Sequence, residues 1–441
     1  MEFKELKGIK EYLPEEQEVR EKIIDVLKTN FKKYGFRPIE TSILEDYKIA
    51  ASKYAGGSEI LKETYKLTDQ GKRKLCLRYE LTFKMAKLIA LNPTLRLPLK
   101  RYEIGKVFRD GPVKTGRLRE FTQCDVDVVG IKDLAQDAEF VKMTFDIFDK
   151  LNLNIYVQIN NRKLLFGLFK ECNIKENDFI PVALSLDKLE KIGKNEVIKE
   201  LQNKEIANES ITAIFELLEG TNKIKENTKK LEFLGQRCKN KLFKEGFKEL
   251  KEVLEYSKIL NIKDNLYFTP TLSRGLGYYT GLMWEVYLKK SKIKSSVAAG
   301  GRWNDMIQKF LQSERVYPAT GMTFGLDVIY TALIEDEIKL QNFERTPKVL
   351  IIPLDKIEPC LNLANNLRNI GISASIAYNT KLSKALDYAN KEKIQYSIVV
   401  GKKEIESRIF GLKNMQTGKT ENLKVIDIIV KLKQEEMVKR R

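Results

Sequence analysis

The sequence predicts an α+β protein with two domains, a large antiparallel sheet domain that contains a helical insertion and a small α/β domain that follows it. Strand-like segments lie on both sides of a polar, lysine-rich, helical stretch at residues 173–260, which indicates one sheet domain over residues 1–335 with an insertion. A polar segment near residues 335–347 ends in a proline, and strands then alternate with helices over residues 346–441, as in a small α/β domain. The length of 441 residues agrees with two or three domains.

The first domain opens with a predicted helix over residues 14–34, because Pro14 suits a first helical turn and apolar residues recur at helical spacing. A strand, a loop and a second strand follow between residues 102–130. The loop carries Arg109 at one end and Arg117 at the other, so it is suited to phosphates, although an ordinary hairpin with a basic turn has the same pattern. The other predicted elements are, in order, an extended segment at 36–46, a hairpin at 56–83, helices at 81–91 and 136–150, a strand and helix at 157–169, and strand signals at 266–288, 295–307 and 319–325, the last running into a helix.

The chain is basic, with 79 Lys and Arg against 61 Asp and Glu, hence a net charge of +18. Residues 345–441 hold 19 basic and 10 acidic side chains, and this difference of +9 is half of the excess. We expect this domain to contact a polyanion such as a nucleic acid, although a lysine-rich composition alone also gives a positive charge. No apolar run approaches the roughly 20 residues that cross a bilayer, and no signal peptide is evident, so we expect a cytoplasmic protein without a membrane partner.

Histidine is absent from the sequence, and the five cysteines are widely spaced. The commonest general base and metal ligand is therefore missing, no cysteine metal framework is present, and we expect no metal site in the protein itself. Chemistry must then use carboxylates, arginines, lysines, tyrosines or the substrate's own groups. The segment RGLGYYTG at residues 274–281 combines one arginine and two tyrosines with three glycines, which is typical of a small-molecule pocket or of a glycine-interrupted strand.

Five segments lie in the order of the motifs of class II aminoacyl-tRNA synthetases. They resemble the histidyl-tRNA synthetase family in particular, of which the chain looks like a divergent member. The segments are LRYELT at 77–82, residues 108–130, RGLGYYTG at 274–281, AAGGRW at 298–303 and PATGMTFGLDVI at 318–329. The resemblance covers nearly the whole chain. It implies the class II synthetase fold, an antiparallel six-stranded sheet with flanking helices, followed by an α/β anticodon-binding domain, and a homodimer formed through residues 14–45.

The resemblance implies a histidine–tRNA ligase. Histidine would react with ATP, which carries Mg²⁺, to give the adenylate and pyrophosphate, and the acyl group would then pass to tRNA(His). The substrate carboxylate is itself the nucleophile, so the missing histidine removes no catalytic group. Two alternatives stay open: a synthetase-like paralogue that binds tRNA or regulates another protein without charging tRNA, and an enzyme that forms an adenylate for another acceptor.

The resemblance also assigns roles to individual residues. Arg109 and Arg274 would be catalytic because both would stabilise charge at the α-phosphate, and Arg109, Arg117 and Asp110 would bind ATP. The amino acid would contact Glu80, Thr82, Gln123, Asp127, Tyr278, Tyr279, Gly300 and Gly301. Structural roles remain alternatives for some of these residues. Glu80 and Asp127 could be solvated strand ends, Tyr278 could pack in the core, and Gly300 and Gly301 could form a tight turn.

The sequence departs from the family pattern mainly where ATP would bind. Val328 stands in the place of the motif 3 arginine that ordinarily stacks on adenine, and Gly111 in the place of an acidic residue that reads the adenine amino group. Loss of a cation–π contact of about 1–2 kcal/mol weakens ATP binding roughly 5- to 30-fold. The other departures are Ser42 for the motif 1 proline, Gly277 for the aspartate of RGLDYY, and Asn304 for the aspartate after GGRY.

Overall fold

The computed structural model describes residues 3–53, 58–113, 116–273, 279–338, 340 and 348–439. The chain divides into two compact units, Met1–Lys339 and Leu340–Arg441. The predicted α+β class is confirmed, because the first unit contains a large sheet with flanking helices and the second is a small α/β fold. None of the described helices is long and apolar enough to cross a membrane.

The first unit contains one large sheet and one small sheet. The strands of this unit are β1 (Arg37–Pro38), β2 (Leu44–Asp46), β3 (Lys66–Thr68), β4 (Lys74–Leu77), β5 (Leu99–Phe108), β6 (Glu120–Val129), β7 (Ile155–Asn161), β8 (Leu266–Phe268), β9 (Leu282–Leu288), β10 (Ala298–Arg302) and β11 (Ala319–Gly325). As far as the described residues go, the large sheet has the order β1-β5-β6-β11-β10-β9-β7-β8. Its six inner strands are antiparallel, as predicted, whereas β1 and β8 add a parallel strand at each edge. These edge strands have only two and three residues and lie within the segments predicted as extended at 36–46 and 266–288, but their parallel pairing was not predicted.

A separate antiparallel sheet has the order β2-β4-β3, and its β3–β4 pair confirms the predicted hairpin. The helices of this unit are α1 (Pro14–Lys33), α2 (Tyr47–Lys53), α3 (Ser58–Lys62), α4 (Thr82–Leu91), α5 (Ala135–Lys150), α6 (Arg162–Glu171), α7 (Phe179–Leu186), α8 (Leu189–Ile192), α9 (Lys194–Asn203), α10 (Asn208–Asn222), α11 (Asn227–Arg237), α12 (Lys241–Ile259), α13 (Met306–Leu311) and α14 (Leu326–Glu335). Helix α1 begins at Pro14, as predicted, and Gly35 follows it with a φ of +82°. The stretch predicted as a helical insertion contains α7 to α12.

Helices α6 and α12 approach each other closely at two glycines. A Cβ atom on Gly167 of α6 would lie 2.5 Å from Cα of Phe243, and a Cβ atom on Gly246 of α12 would overlap the main chain of Leu164. Main-chain atoms cannot turn aside as a flexible side chain can, so this approach requires glycine at both positions. The contact attaches the last helix of the insertion to the helix that follows β7.

We expect Gly246→Ala to lower the free energy of unfolding by about 1–3 kcal/mol, because the added methyl group forces α6 and α12 apart. The alanine also gains up to about 1 kcal/mol of helix propensity, which reduces the loss without cancelling it. Urea unfolding followed by circular dichroism measures the change. Gly71→Ala is the matched control, since its Cβ would lie 3.4 Å from the nearest atom, in the side chain of Asp69. An unchanged unfolding midpoint for Gly246→Ala would contradict the close packing.

The second unit is a small α/β fold. Its strands and helices are β12 (Val349–Pro353), α15 (Glu358–Asn369), β13 (Ala374–Ile376), α16 (Leu382–Lys391), β14 (Tyr396–Val400), α17 (Lys402–Ser407), β15 (Ile409–Asn414), β16 (Thr420–Lys424) and α18 (Val425–Lys439). The sheet order is β13-β12-β14-β15-β16, with the first three strands parallel and the last two antiparallel. Helices α15 and α16 alternate with the strands, as predicted for this domain, whereas β16 was missed because it is mostly polar and exposed.

Candidate active site

A cavity of about 240 Å³ is lined by β6, β10, β11 and the segment that leads into α4. Successive side chains of a strand point to opposite faces, so Phe121, Gln123 and Asp125 of β6 share the face that lines the cavity. On the neighbouring strand β11, Thr323 lies directly opposite Asp125. The fold therefore joins the segment LRYELT, the strands of residues 108–130 and the motif 3 segment around one space.

Arg109 directly follows β5, and its guanidinium group is held between two aromatic rings of the cavity lining. Its Cζ atom lies 4.2 Å from the ring centre of Tyr79 and 5.0 Å from that of Phe121. Its Nε donates a hydrogen bond to the main-chain oxygen of Tyr79 at 3.2 Å. A guanidinium has five N–H donors in a rigid plane, so further donors are available for an anion. The residue predicted to bind the α-phosphate thus borders the cavity.

Glu80 and Thr82, both predicted to contact the amino acid, also line the cavity. Both carboxylate oxygens of Glu80 accept the main-chain N–H of Phe83 at 3.0 Å. The hydroxyl of Thr82 donates to Oδ2 of Asp125 at 3.1 Å. The first turn of α4 therefore fixes the direction of the Glu80 carboxylate and links this segment to β6.

Gln123 of β6 is a buried member of the lining, with 7% of its surface exposed. Its Nε2 donates to the hydroxyl of Thr323 at 3.3 Å. Within the described residues, its Oε1 has no hydrogen-bond partner. A buried acceptor without a donor costs about 1–3 kcal/mol, so a ligand that brings an N–H group to this oxygen gains that energy.

Asp127 is also predicted to contact the amino acid, and this contact stays a prediction. The lining includes Asp125 rather than Asp127. The carboxylate of Asp127 occupies the space that a Cβ on Gly321 would take, and its Oδ2 pairs with Nη2 of Arg101 at 2.7 Å. The family motif marks only Asp127, so Asp125 was not predicted, although alternation along the strand places both on the face of Gln123.

Tyr279 lines the cavity, as expected for a residue near the substrate, whereas the two glycines of AAGGRW do not. Gly300 and Gly301 lie within β10, and a Cβ on Gly301 would be 2.7 Å from the Tyr279 ring. Both glycines allow close packing inside the sheet rather than forming a tight turn, and their contact with the amino acid stays a prediction. Arg274 and Tyr278 lie outside the described residues.

The predicted ATP ligands Arg117 and Asp110 lie on the loop between β5 and β6, outside the cavity lining. Nη2 of Arg117 is 3.6 Å from Oε1 of Glu63, and the Arg117 side chain is 52% exposed. Oδ1 of Asp110 is 3.4 Å from Nη2 of Arg119. Ion pairs this exposed are weak, so a phosphate could replace the present partner of Arg117. The ATP contacts of both residues stay predictions.

A buried network of charges supports the lining. Arg101 of β5 is fully buried, and its Nη2 donates at 3.0 Å to the main-chain oxygen of Leu81, between Glu80 and Thr82. It pairs with Asp127, and the neighbouring carboxylate of Glu103 lies 3.6 Å from its Nη1. Burial raises the pKa of the Asp127 carboxyl, and the charge of Arg101 opposes this shift. The network therefore positions the segment that carries two lining residues.

The motif 3 position offers no cation to a nucleotide. Val328 lies in the first turn of α14, and a Cβ on Gly116 of the β5–β6 loop would be 3.7 Å from its Cγ2. The preceding Asp327 has a structural role, since it accepts hydrogen bonds from Nη1 of Arg20 at 2.6 Å and from the main-chain N–H of Thr122 at 2.7 Å. Helix α14 therefore presents an apolar side chain to the loop.

Comparison with known proteins covers both units. The histidyl-tRNA synthetase family model matches residues 8–329, and the anticodon binding domain model matches residues 348–435. Histidine–tRNA ligase 1 of Bacillus cereus is 44% identical over 421 residues, which cover 95% of this chain and 94% of that protein. Histidine–tRNA ligase 2 of Shouchella clausii is 43% identical over 418 residues, covering 94% of this chain and 97% of that protein. The crystal structure of histidyl-tRNA synthetase from Nostoc sp. PCC 7120 has a TM-score of 0.81 at 26% identity, and the match covers 99% of this chain and 100% of that one.

The matches extend over nearly the full length of this chain and of its relatives. The cavity that Arg109, Glu80 and Gln123 line falls within the first matched segment. The anticodon binding domain model falls within the second unit. The chain therefore belongs to the histidyl-tRNA synthetase family.

Proposed function

We propose that the protein is a histidine–tRNA ligase, which activates histidine with ATP and transfers it to tRNA(His). One observation carries the proposal: the guanidinium of Arg109 borders the same cavity as the acceptor groups of Glu80, Asp125 and Gln123. An aminoacyl adenylate needs both, because it carries an anionic phosphate near an α-ammonium group. Relatives of 43–44% identity that are named histidine–tRNA ligases support histidine as the amino acid.

In the first step, an oxygen of the histidine carboxylate attacks the α-phosphorus of ATP. The bond from this phosphorus to the bridging oxygen breaks, and pyrophosphate leaves with the electron pair. Negative charge builds on the α-phosphate oxygens, where Arg109 stabilises it without reorganisation. The carboxylate is already ionised at neutral pH, so no protein base is required. We assign further phosphate contacts to Arg117 and Arg274 by resemblance, and Mg²⁺ accompanies the nucleotide phosphates.

In the second step, a hydroxyl of the tRNA terminus attacks the carbonyl carbon of the adenylate. The bond from this carbon to the phosphate oxygen breaks, AMP leaves with the electron pair, and the hydroxyl proton is released to solvent. We assign Glu80, Thr82 and Gln123 to the amino acid and Tyr279 to the imidazole side. The second unit would bind the anticodon of tRNA(His), which its net charge of +9 over residues 345–441, from 19 basic and 10 acidic side chains, supports. We further propose a homodimer formed through residues 14–45, acting in the cytoplasm.

Val328 favours a second candidate function. Without an arginine at this position, ATP binding weakens roughly 5- to 30-fold if no other cation compensates. A paralogue of this kind would bind tRNA without charging it, or would pass an adenylate to another acceptor.

Two assays separate the candidates. A histidine–tRNA ligase is expected to catalyse ATP–pyrophosphate exchange that depends on histidine, and to charge a tRNA(His) transcript with labelled histidine. Exchange without charging would indicate another acceptor. The proposal would be contradicted if the protein showed no exchange and no charging, even at ATP concentrations roughly 30-fold above those that saturate an enzyme with the motif 3 arginine.

A further inference from the structure

Asp125 is the buried carboxylate of the cavity that no family motif singles out. Its surface is 1% exposed, and it belongs to the lining. The hydroxyls of Thr82 and Thr323 donate hydrogen bonds to its two oxygens, one to each. Among the described residues, the fully buried cation Arg101 pairs at 2.7 Å with Asp127 rather than with Asp125. The two threonines thus hold the carboxylate in place without neutralising it.

The cavity offers more acceptors than donors on this side. Glu80 and Asp125 contribute two carboxylates, and Oε1 of Gln123 is a buried acceptor without a partner among the described residues. An ammonium group has three N–H donors and a positive charge, so it can satisfy all three acceptors. The imidazole of histidine is mostly neutral at pH 7, which leaves the α-ammonium as the cation of this substrate.

The electrostatics of Asp125 agree with a cationic ligand. Burial raises the pKa of its carboxyl, and the negative charge of Glu80 raises this pKa further. The positive charge of Arg101 and the hydrogen bond from Thr323 act in the opposite direction. A bound ammonium opposes both effects that raise the pKa, because it favours the ionised carboxylate.

We propose that Asp125 is a specificity-determining residue that binds the α-ammonium group of the amino acid together with Glu80 and Gln123. The inference rests on the proposed function, because it takes this cavity as the histidine site. It follows that the protein discriminates against molecules that keep the imidazole ring and the carboxylate but lack the amino group.

Two histidine analogues test the inference by titration calorimetry on the full chain. Histidinol keeps the imidazole and the ammonium and lacks the carboxylate, whereas imidazolepropionate keeps the imidazole and the carboxylate and lacks the ammonium. We expect Asp125→Asn to raise the Kd of histidinol roughly 10- to 100-fold, the loss of one charged hydrogen bond. The Kd of imidazolepropionate should stay unchanged or fall, because a neutral amide repels its carboxylate less.

Glu120→Gln is the matched control, since Glu120 lies on the same strand and pairs with Lys106 at 3.0 Å outside the lining. It should change neither Kd. Asp125→Ser keeps a small polar group and replaces Asp125→Asn if the amide variant fails to fold. If Asp125→Asn weakened the binding of both analogues equally, or changed the binding of neither, the inference would be overturned. The proposed function would still stand, provided that the wild type binds histidinol. No binding of histidine or histidinol to the wild type would overturn both.

Discussion

Arg109→Ala is expected to slow histidine-dependent ATP–pyrophosphate exchange by about 10²- to 10³-fold, the usual effect of removing a preorganised donor from a charge that develops in the transition state. The guanidinium is fixed between the rings of Tyr79 and Phe121 before any ligand arrives. No reorganisation is therefore needed when negative charge builds on the α-phosphate. Initial rates with radiolabelled pyrophosphate, at saturating histidine and ATP, measure the loss.

The control for this variant is Arg237→Ala on α11. Arg237 has a similar setting, with its guanidinium 3.7 Å from the ring centre of Phe233 and a hydrogen bond from Nη1 to the main-chain oxygen of Phe233 at 3.1 Å. It lies outside the cavity lining, so exchange should be unchanged. If Arg109→Ala retained more than a tenth of the wild-type rate, the catalytic role assigned to Arg109 would be contradicted.

Arg101→Met is expected to lower the free energy of unfolding by about 3–5 kcal/mol, because it leaves buried carboxylates without their cation. Arg101 is fully buried, pairs with Asp127 at 2.7 Å and lies 3.6 Å from Glu103. Urea unfolding at neutral pH measures the loss. The double variant Arg101→Met with Asp127→Asn is the control, and it should recover part of the stability, since the amide carries no charge.

The loss of folding stability caused by the single variant Arg101→Met should depend on pH. Burial already raises the pKa of Asp127, and removal of Arg101 raises it further. A carboxyl with a raised pKa in the folded state stabilises that state while it is protonated. This contribution is full below the unfolded pKa of about 3.9 and is lost as the pH rises through the folded pKa. The loss of stability caused by Arg101→Met should therefore be greater at pH 8 than at pH 5, and an equal loss at both would contradict the network.

Much of the fold could be predicted from the sequence because its main elements show their periodicity. Helix α1 begins at Pro14, and β6 alternates over its second half, so both were predicted close to their observed positions. Strands β1 and β8 lie within segments predicted as extended, but their parallel pairing at the sheet edges could not be predicted, since it depends on neighbours distant in sequence. The hairpin of β15 and β16 was missed because β16 exposes most of its residues.

The candidate site was predicted less completely than the fold. Family motifs identified Glu80, Thr82, Gln123 and Arg109, all of which line the cavity. The motifs did not reveal Asp125, because which residue of a strand face reaches a cavity depends on the packing around it. Here Asp127 turns to Arg101, which only the three-dimensional structure shows.

A crystal structure of the protein with histidine and a non-hydrolysable ATP analogue tests most directly whether one cavity activates the amino acid. The expected result places the α-phosphate within hydrogen-bond distance of the Arg109 guanidinium and the α-ammonium between Glu80 and Asp125. Histidine or the nucleotide bound outside this cavity, or an Arg109 side chain turned away from the α-phosphate, would contradict it.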